Sequence, residues 1–227
     1  MSTHPPSIEL TAADGHRLGA YLAAPAGAPR GAIVVVQEIF GVNSHIRAVA
    51  DGYAADGYLA LAPALFDRVE RGVEIGYTDA DIQRGIALRA KVPADGALAD
   101  IAASIGHAAR AGGGKVGIVG YCWGGLLSWL AACKLDGLAC AVCYYGGGMP
   151  DQKALVPRCP VLAHFGEKDH AIPLAGAEAF RAARPEVEVH LYPAGHGFNC
   201  DQRGSYDAAS AKLARQRSLA FFGRHLG

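Results

Sequence analysis

Short apolar segments alternate with longer amphipathic segments along most of the chain. Continuous apolar runs such as residues 31–37 predict strands that are buried on both faces of a sheet. Segments with helical periodicity, such as residues 94–110, lie between them and predict amphipathic helices. This alternation predicts an α/β fold with a mostly parallel central sheet that is covered by helices on both faces.

The individual elements follow from the same pattern and from turn signals such as Asp14-Gly15, which indicates a hairpin. We expect strands at residues 8–10, 18–24, 31–37, 58–62, 115–121, 138–145, 160–165 and 187–192. We expect helices at residues 45–56, 78–91, 94–110, 123–135, 173–184 and 205–225. Residues 64–78 mix charges with glycines, which is typical of a surface connection.

Length and charge limit the classes of function. A chain of 227 residues fits one α/β domain, and we expect residues 1–227 to form a single unit. Lys and Arg total 21, as do Asp and Glu, so a nucleic-acid or membrane-surface partner is not expected. The first six residues lack the basic and apolar regions of a secretory signal, which favours a cytoplasmic location. We expect a small-molecule ligand and a monomer or weak homo-oligomer.

The six cysteines stand at positions 122, 133, 140, 143, 159 and 200. Disulfides are not expected in a cytoplasmic protein. Cys140 and Cys143 have C-x-x-C spacing, but they lie inside an apolar, strand-like run without a second pair at zinc-site spacing. Packing in the core is therefore the preferred interpretation of this pair.

One cysteine differs from the others because glycines flank it on both sides. Gly120, Cys122 and Gly124 form a G-x-C-x-G pattern between a predicted strand and a predicted helix. This is the nucleophile elbow of α/β-hydrolases, with Cys in place of the more usual Ser. The turn is so tight that side chains at the two glycine positions would collide with their neighbours. Cys122 is therefore the candidate nucleophile, at the positive end of a helix that favours a thiolate.

An acid and a histidine follow the next predicted strands. Asp169 comes after the strand at residues 160–165, and His196 comes after the strand at 187–192. Nucleophile, acid and His is the chain order of α/β-hydrolases. The imidazole can take a proton from the thiol and later return it, while the carboxylate orients the ring. Glu167 is an alternative to Asp169 because it lies closer to the strand.

A fourth candidate site follows the strand at residues 31–37. A carboxylate is costly to bury without a partner, so Glu38 indicates either a structural ion pair or a group that faces the thiol. In the second case, the backbone N–H groups of Ile39 and Trp123 would stabilise an oxyanion, because one such donor follows the nucleophile and the other comes from an early loop.

Other cofactor motifs do not fit their context. Residues 112–117 satisfy G-x-G-x-x-G, but they precede a strand and do not open a helix, so a dinucleotide site is not indicated. The nine histidines form neither H-x-H nor H-E-x-x-H, so no metal is expected. We therefore predict no cofactor.

Five motifs together resemble the dienelactone hydrolase family. They are Gln37-Glu-Ile-Phe-Gly41, Gly120-Tyr-Cys-Trp-Gly-Gly125, Tyr144-Tyr-Gly146, Gly166-Glu-Lys-Asp169 and Gly195-His-Gly-Phe198. The resemblance extends from about residue 8 to residue 222 and implies the activity of a carboxymethylenebutenolidase, which opens the enol-lactone dienelactone to maleylacetate during aromatic degradation. It also implies a catalytic triad of Cys122, Asp169 and His196, with Ile39 and Trp123 as oxyanion donors. The Glu that matches Glu38 helps to take the thiol proton in this family.

The resemblance also implies how the substrate is held. Phe40, Tyr144 and Phe198 lie within the shared motifs and are candidate substrate contacts. Family members use arginines to bind the lactone's carboxylate, and one of them lies four residues after the catalytic His. This chain has Cys200 there, and its nearest arginine is Arg203, while Arg84 is the candidate for another. The alternatives are a thiol esterase for another small ester or a non-catalytic binding protein.

Overall fold

The computed structural model describes residues 7–227, which form one eight-stranded sheet with helices around it. The strands are β1 (Ser7–Thr11), β2 (Arg17–Ala23), β3 (Ala32–Val36), β4 (Leu59–Pro63), β5 (Val116–Tyr121), β6 (Leu138–Tyr144), β7 (Val161–Gly166) and β8 (Glu188–Tyr192). The α-helices are α1 (Ser44–Ala55), α2 (Asp79–Arg89), α3 (Ala94–Ala111), α4 (Trp123–Lys134), α5 (Leu174–Ala183) and α6 (Ala208–His225).

The order of strands in the sheet is β1-β2-β4-β3-β5-β6-β7-β8. β2 pairs with β1 and β4 in the antiparallel sense, whereas every pair from β4 through β8 is parallel. The predicted class, an α/β fold with a mostly parallel sheet, is confirmed. Parallel neighbours bring their carboxyl ends to one edge, so residues that follow β3, β5, β7 and β8 can meet there.

The central strands are covered on both faces, because every residue of β3 and β5 is buried. One helical layer contains α1 and α6, which meet where the rings of Tyr53 and Phe222 pack edge to face. The other contains α3 and α4, which contact each other and the strands β3 and β5. This burial leaves the ends of the strands as the places where polar side chains can reach a ligand.

The connection at residues 64–78 differs from its prediction as a surface segment. It contains a short 3-10 helix at Leu65–Arg68, and Leu65, Phe66, Val73 and Ile75 are buried. A backbone bridge joins Glu74 to Gly41, next to the loop that follows β3. The prediction was wrong because exposed residues such as Glu70, Arg71 and Glu74 alternate with buried apolar side chains. Arg68 is itself largely buried and pairs with Asp100.

Helix boundaries agree closely with the sequence pattern where a capping residue marks them. Thr78 caps α2 in a capping box with Asp81, and Asn43 caps α1. The last helix begins three residues later than predicted, because Asp207 accepts a hydrogen bond from the Ser210 N–H and so defines its start. A cap thus locates a helix more closely than periodicity does.

The cysteines agree with the prediction that no disulfides form, since all six are free. Cys140 and Cys143 are fully buried in β6, as the packing interpretation of the C-x-x-C pair requires. Within residues 7–227, no helix is both long enough and apolar enough to span a membrane. The first six residues, on which the prediction of a cytoplasmic location rests, lie outside the described part of the chain.

Candidate active site

Cys122 stands at the sharp turn between β5 and α4. Its backbone has φ 55°, in the left-handed region that side chains other than glycine rarely adopt. A Cβ at Gly120 would lie 1.9 Å from the Gly124 carbonyl oxygen, and a Cβ at Gly124 would lie 2.4 Å from that of Val36. Both positions therefore require glycine. The turn is held by a hydrogen bond of 3.0 Å from the Cys122 N–H to the Tyr144 carbonyl.

His196 and Asp169 meet at the same edge of the sheet. The Nδ1–H of His196 donates a 2.8 Å hydrogen bond to Oδ2 of Asp169, whose side chain is completely buried. The other carboxylate oxygen of Asp169 accepts from the N–H groups of Ala171 and Ile172, which fixes the orientation of the carboxylate. Glu167, the alternative acid, is exposed. The structure thus brings Asp169 to the imidazole and leaves Glu167 in solvent.

The imidazole of His196 is a strong base in this setting. Burial disfavours its charged form, but hydrogen bonds with Asp169 and Cys122, and the negative charges of both groups, raise the pKa of His196 to about 10. Because Nδ1 is occupied by Asp169, Nε2 is the nitrogen left for the thiol. Because this pKa depends on negative charge at Cys122, it describes a ring that holds a proton once the thiol has lost one.

Glu38 lies at the carboxyl end of β3, and its side chain is fully buried. Nη1 of Arg203 donates to Oε1 of Glu38 over 3.3 Å, while Oε2 has no hydrogen-bond partner among the described residues. The guanidinium of Arg203 also lies over the rings of Phe40 and Tyr77, at 5.5 and 5.8 Å. Only one of the two carboxylate oxygens is thus paired, and the aromatic rings pack against the guanidinium that pairs with it.

Two backbone N–H groups near Cys122 have no acceptor within residues 7–227. Trp123 is the first residue of α4, so its N–H cannot bond within the helix. Ile39 follows Glu38, and its carbonyl is in close contact with α2, where a Cβ at Gly85 would lie 2.2 Å from that oxygen. Both N–H groups therefore lack a backbone acceptor among the described residues, and their role as oxyanion donors stays a prediction.

Two neighbouring tyrosines take different positions. The hydroxyl of Tyr144 pairs with that of Ser218 at 2.7 Å, inside a buried network that includes His164. Tyr145 packs its ring against His196 with 5.2 Å between centroids, and its buried hydroxyl has no partner among the described residues. Its pKa is raised by burial and by nearby groups that include Glu38 and Cys122. Tyr145, which the sequence analysis did not select, is thus closer to the chemistry than Tyr144.

The other predicted substrate contacts are distributed unevenly. Phe198 is completely buried and packs on Tyr145, while Phe40 packs on Tyr77. Arg84 lies on the exposed face of α2 and pairs with Glu70 at 2.6 Å. A pocket of about 280 Å³ opens beside Arg203, with Tyr77, Ile82, Gln202, Gly204 and Ser205 as its other lining residues. Arg203 is therefore the arginine that connects a pocket with the carboxylate of Glu38.

The chain has clear relatives among known proteins. Residues 18–226 match the model of the dienelactone hydrolase family. The carboxymethylenebutenolidase of Pseudomonas putida is 36% identical over 223 residues, which cover 94% of either chain. An Escherichia coli K12 protein, provisionally named a carboxymethylenebutenolidase, is 38% identical over 94% of this chain and 84% of its own length.

A solved structure agrees with these relationships. The structure from Klebsiella pneumoniae, provisionally named a dienelactone hydrolase, has a TM-score of 0.84 and 36% identity. It covers 96% of this chain and 99% of its own chain. Sequence and structure thus give the same assignment: the chain belongs to the dienelactone hydrolase family and is a hydrolase that acts on ester or lactone bonds.

Proposed function

We propose that the protein opens a small enol-lactone that carries a carboxylate, converting dienelactone to maleylacetate. Cys122 would be the nucleophile, His196 the general base and acid, Asp169 the group that orients the imidazole, and Glu38 an assisting base. The observation that carries this proposal is the 2.8 Å hydrogen bond between His196 and Asp169. Cys122, at its strained turn, lies close enough to the same ring to raise the pKa of His196. The name of the Pseudomonas relative supports the choice of reaction.

In the first half of the reaction, Sγ of Cys122 attacks the lactone carbonyl. The thiol proton passes to a base, either Nε2 of His196 or the unpaired Oε2 of Glu38, and a C–S bond forms. The carbonyl oxygen becomes an oxyanion, which the N–H groups of Ile39 and Trp123 stabilise. Collapse of this intermediate breaks the ring C–O bond, and the enolate that leaves takes the proton from this base and becomes the ketone, which restores the base for the second half.

In the second half, water releases the product. His196 takes a proton from the water, whose oxygen attacks the thioester carbonyl, and the same two N–H groups stabilise the oxyanion. The C–S bond then breaks, and the carboxylic acid leaves as its carboxylate. One water is consumed and the thiol is regenerated, so no cofactor is required by the balance of atoms.

The substrate's own carboxylate would bind Arg203. This guanidinium borders a pocket and makes only one hydrogen bond with Glu38, so further N–H donors remain. A carboxylate bound there would compete with Glu38 for the guanidinium. Glu38 would then lose its hydrogen bond from Arg203 and could accept the thiol proton more readily. The ion pair thereby couples binding of the substrate to activation of the thiol.

A substrate panel tests the proposal. The values of kcat/KM for cis-dienelactone, trans-dienelactone and p-nitrophenyl acetate are compared, and maleylacetate is identified as the product by NMR. We expect kcat/KM for one lactone isomer to exceed that for the neutral ester by roughly tenfold or more, as a charge-assisted contact provides. Cys122→Ala serves as the control, and turnover of the ester without turnover of either lactone would indicate a general thiol esterase instead.

A further inference from the structure

Three potential metal ligands converge behind the Glu38 carboxylate. Glu38, His45 and Cys200 each offer a ligand atom, and these atoms lie within 4.8 Å of one another. The residues come from separate parts of the chain: the end of β3, the first turn of α1, and the loop between β8 and α6. Their exposed fractions are 0%, 3% and 0%, so the cluster is closed to bulk water.

Two atoms of this cluster are buried without a hydrogen bond. Oε2 of Glu38 and Nε2 of His45 have no partner among the described residues. A buried polar atom without a protein partner needs another ligand, such as a water molecule or an ion, to replace its hydration. Here a carboxylate oxygen and an imidazole nitrogen are left free beside a thiol, which is the combination of donors that transition metals prefer.

We propose that Glu38, His45 and Cys200 form a binding site for a borderline-soft divalent cation such as Zn²⁺. Zinc binds thiolate sulfur, imidazole nitrogen and carboxylate oxygen, and sites with three protein ligands leave a fourth position for water. Binding would replace the proton of the Cys200 thiol with the metal and would satisfy both unpaired atoms. The charge of the cation would balance the two ligand anions.

The surroundings fit this assignment. Oδ1 of Asp201 lies 3.5 Å from Nδ1 of His45, in the position of the carboxylate that commonly orients a ligating histidine. Arg203 is a competing cation, but it contacts Oε1 of Glu38 and leaves Oε2 free.

Access and geometry are also suitable. A pocket of about 320 Å³ is lined by His45, Asn199 and Asp201, so a cation would have to enter past His45, because Glu38 and Cys200 do not line this pocket. Tetrahedral zinc with bonds of about 2.0–2.3 Å holds its ligand atoms roughly 3.3–3.8 Å apart. The ligand atoms lie within 4.8 Å of one another, so binding would require them to move closer by at most about 1.5 Å.

Occupation of this site would affect hydrolysis, an effect that rests on the proposed function. A metal-bound Glu38 could not accept the thiol proton, so the cation would act as an inhibitor at a position distinct from Cys122. The binding itself does not depend on which reaction the protein catalyses. Metal binding and activity can therefore be tested separately.

The experiment uses Co²⁺ as a spectroscopic substitute for Zn²⁺, added to full-length protein that has been treated with chelator and reductant. A thiolate ligand gives a charge-transfer band in the near ultraviolet, and tetrahedral coordination gives intense visible bands. Because Cys122 and His196 could also bind cobalt, the titration is carried out in Cys122→Ala. We expect one equivalent to produce both bands and one equivalent of Zn²⁺ to remove them.

Matched variants identify the ligands in the Cys122→Ala background. Cys200→Ser should remove the charge-transfer band, and His45→Gln should weaken binding by roughly tenfold or more, as loss of a metal-site interaction does. Cys133→Ala removes another buried thiol and should leave the spectrum unchanged. Circular dichroism verifies that each variant is folded, and if one variant does not fold, the other still tests the site.

The outcomes separate the possibilities. The proposal would be overturned if the bands persisted in Cys200→Ser. It would also be overturned if the wild type gave the bands and Cys122→Ala did not, because the metal would then bind elsewhere. In the wild-type background, Cys200→Ser should also raise the Zn²⁺ concentration for half-inhibition of hydrolysis by at least about tenfold. Absence of lactone hydrolysis would contradict the proposed function, whereas the cobalt spectra would still decide the metal site.

Discussion

Nη1 of Arg203 lies 3.3 Å from Oε1 of Glu38, although the two residues are 165 positions apart in the sequence. The pair connects the loop after β3 with the loop that precedes α6. It pairs one oxygen of the buried carboxylate and leaves the second without a hydrogen-bond partner among the described residues. The preference for an anionic substrate that we propose depends on how this ion pair responds to a ligand.

Replacement of Arg203 tests the role of the ion pair in binding. Arg203→Ala should lower kcat/KM for dienelactone by roughly ten- to a hundred-fold, because a charge-assisted hydrogen bond to the substrate's carboxylate is lost. The value for p-nitrophenyl acetate should change much less. Arg84→Ala is the matched control, since Arg84 pairs with Glu70 at the surface. Equal losses for the charged and neutral substrates in Arg203→Ala would contradict a carboxylate-binding role.

Replacement of Cys122 tests the nucleophile. Cys122→Ala should remove essentially all hydrolysis, and Cys122→Ser should restore little of it, because a hydroxyl is far less acidic and smaller than the thiol for which the surrounding groups are placed. The measurement is single-turnover and steady-state hydrolysis, with circular dichroism to verify the fold. A serine variant that retained most of the activity would exclude a mechanism that depends on the thiol.

Replacement of Glu38 distinguishes a base from a structural ion pair. Glu38→Gln should lower kcat/KM by at least about tenfold, in the range of general-base effects. The melting temperature should change little, because the amide oxygen can still accept a hydrogen bond from Arg203. Glu70→Gln, which removes an exposed acid that also pairs with an arginine, is the control. Loss of stability with nearly normal turnover would instead support a purely structural role.

Much of the fold could be predicted because its signals are local. Apolar runs identified the strands, and capping residues such as Thr78 located helix ends. The triad candidates could also be identified from the sequence, because Cys122, Asp169 and His196 each follow a strand and the carboxyl ends of parallel strands lie at one edge of the sheet. These inferences need only the periodicity of short segments and the order in which strands and helices follow one another along the chain.

The rest of the site depends on contacts between distant segments. Nothing local indicates that Arg203 pairs with Glu38, or that Tyr145 and not Tyr144 packs against His196. The cluster of Glu38, His45 and Cys200 has no motif either, since its members come from three separate elements. Metal motifs in sequence report ligands that one short segment supplies, and this cluster is assembled only when the chain folds.

The strained turn at Cys122 predicts an effect on stability. The left-handed backbone costs about 1–3 kcal/mol for a residue with a side chain, and glycine avoids this cost. Glycine also destabilises the fold by about 0.4–1 kcal/mol, because it increases the conformational entropy of the unfolded chain. This cost is smaller than the backbone strain that glycine removes. Cys122→Gly should therefore have a higher free energy of unfolding than Cys122→Ala, by about 1 kcal/mol. Urea denaturation of the two inactive variants measures the difference, and a more stable alanine variant would refute the strain argument.

The raised pKa of His196, about 10, predicts how stability depends on pH. A group whose pKa is higher in the folded state stabilises the fold fully below its unfolded pKa, which is about 6.5 for histidine, and loses this contribution as the pH rises through the folded value. The melting temperature of His196→Gln should thus lie furthest below that of the wild type near pH 6, and the gap should close towards pH 10. Burial of the charged ring opposes the effect, so the hydrogen bonds with Asp169 and Cys122 must exceed that penalty.

Removal of one of these partners tests the origin of the shift. In Cys122→Ala, the ring keeps Asp169 but loses the second group that raises its pKa. The difference in melting temperature between Cys122→Ala and Cys122→Ala/His196→Gln should therefore vanish at a lower pH than the difference between the wild type and His196→Gln. Thermal denaturation of the four proteins from pH 6 to pH 10 gives both curves. If the two curves coincided, the thiol would not act on the imidazole, and the proposed transfer of its proton to His196 would lose its physical basis.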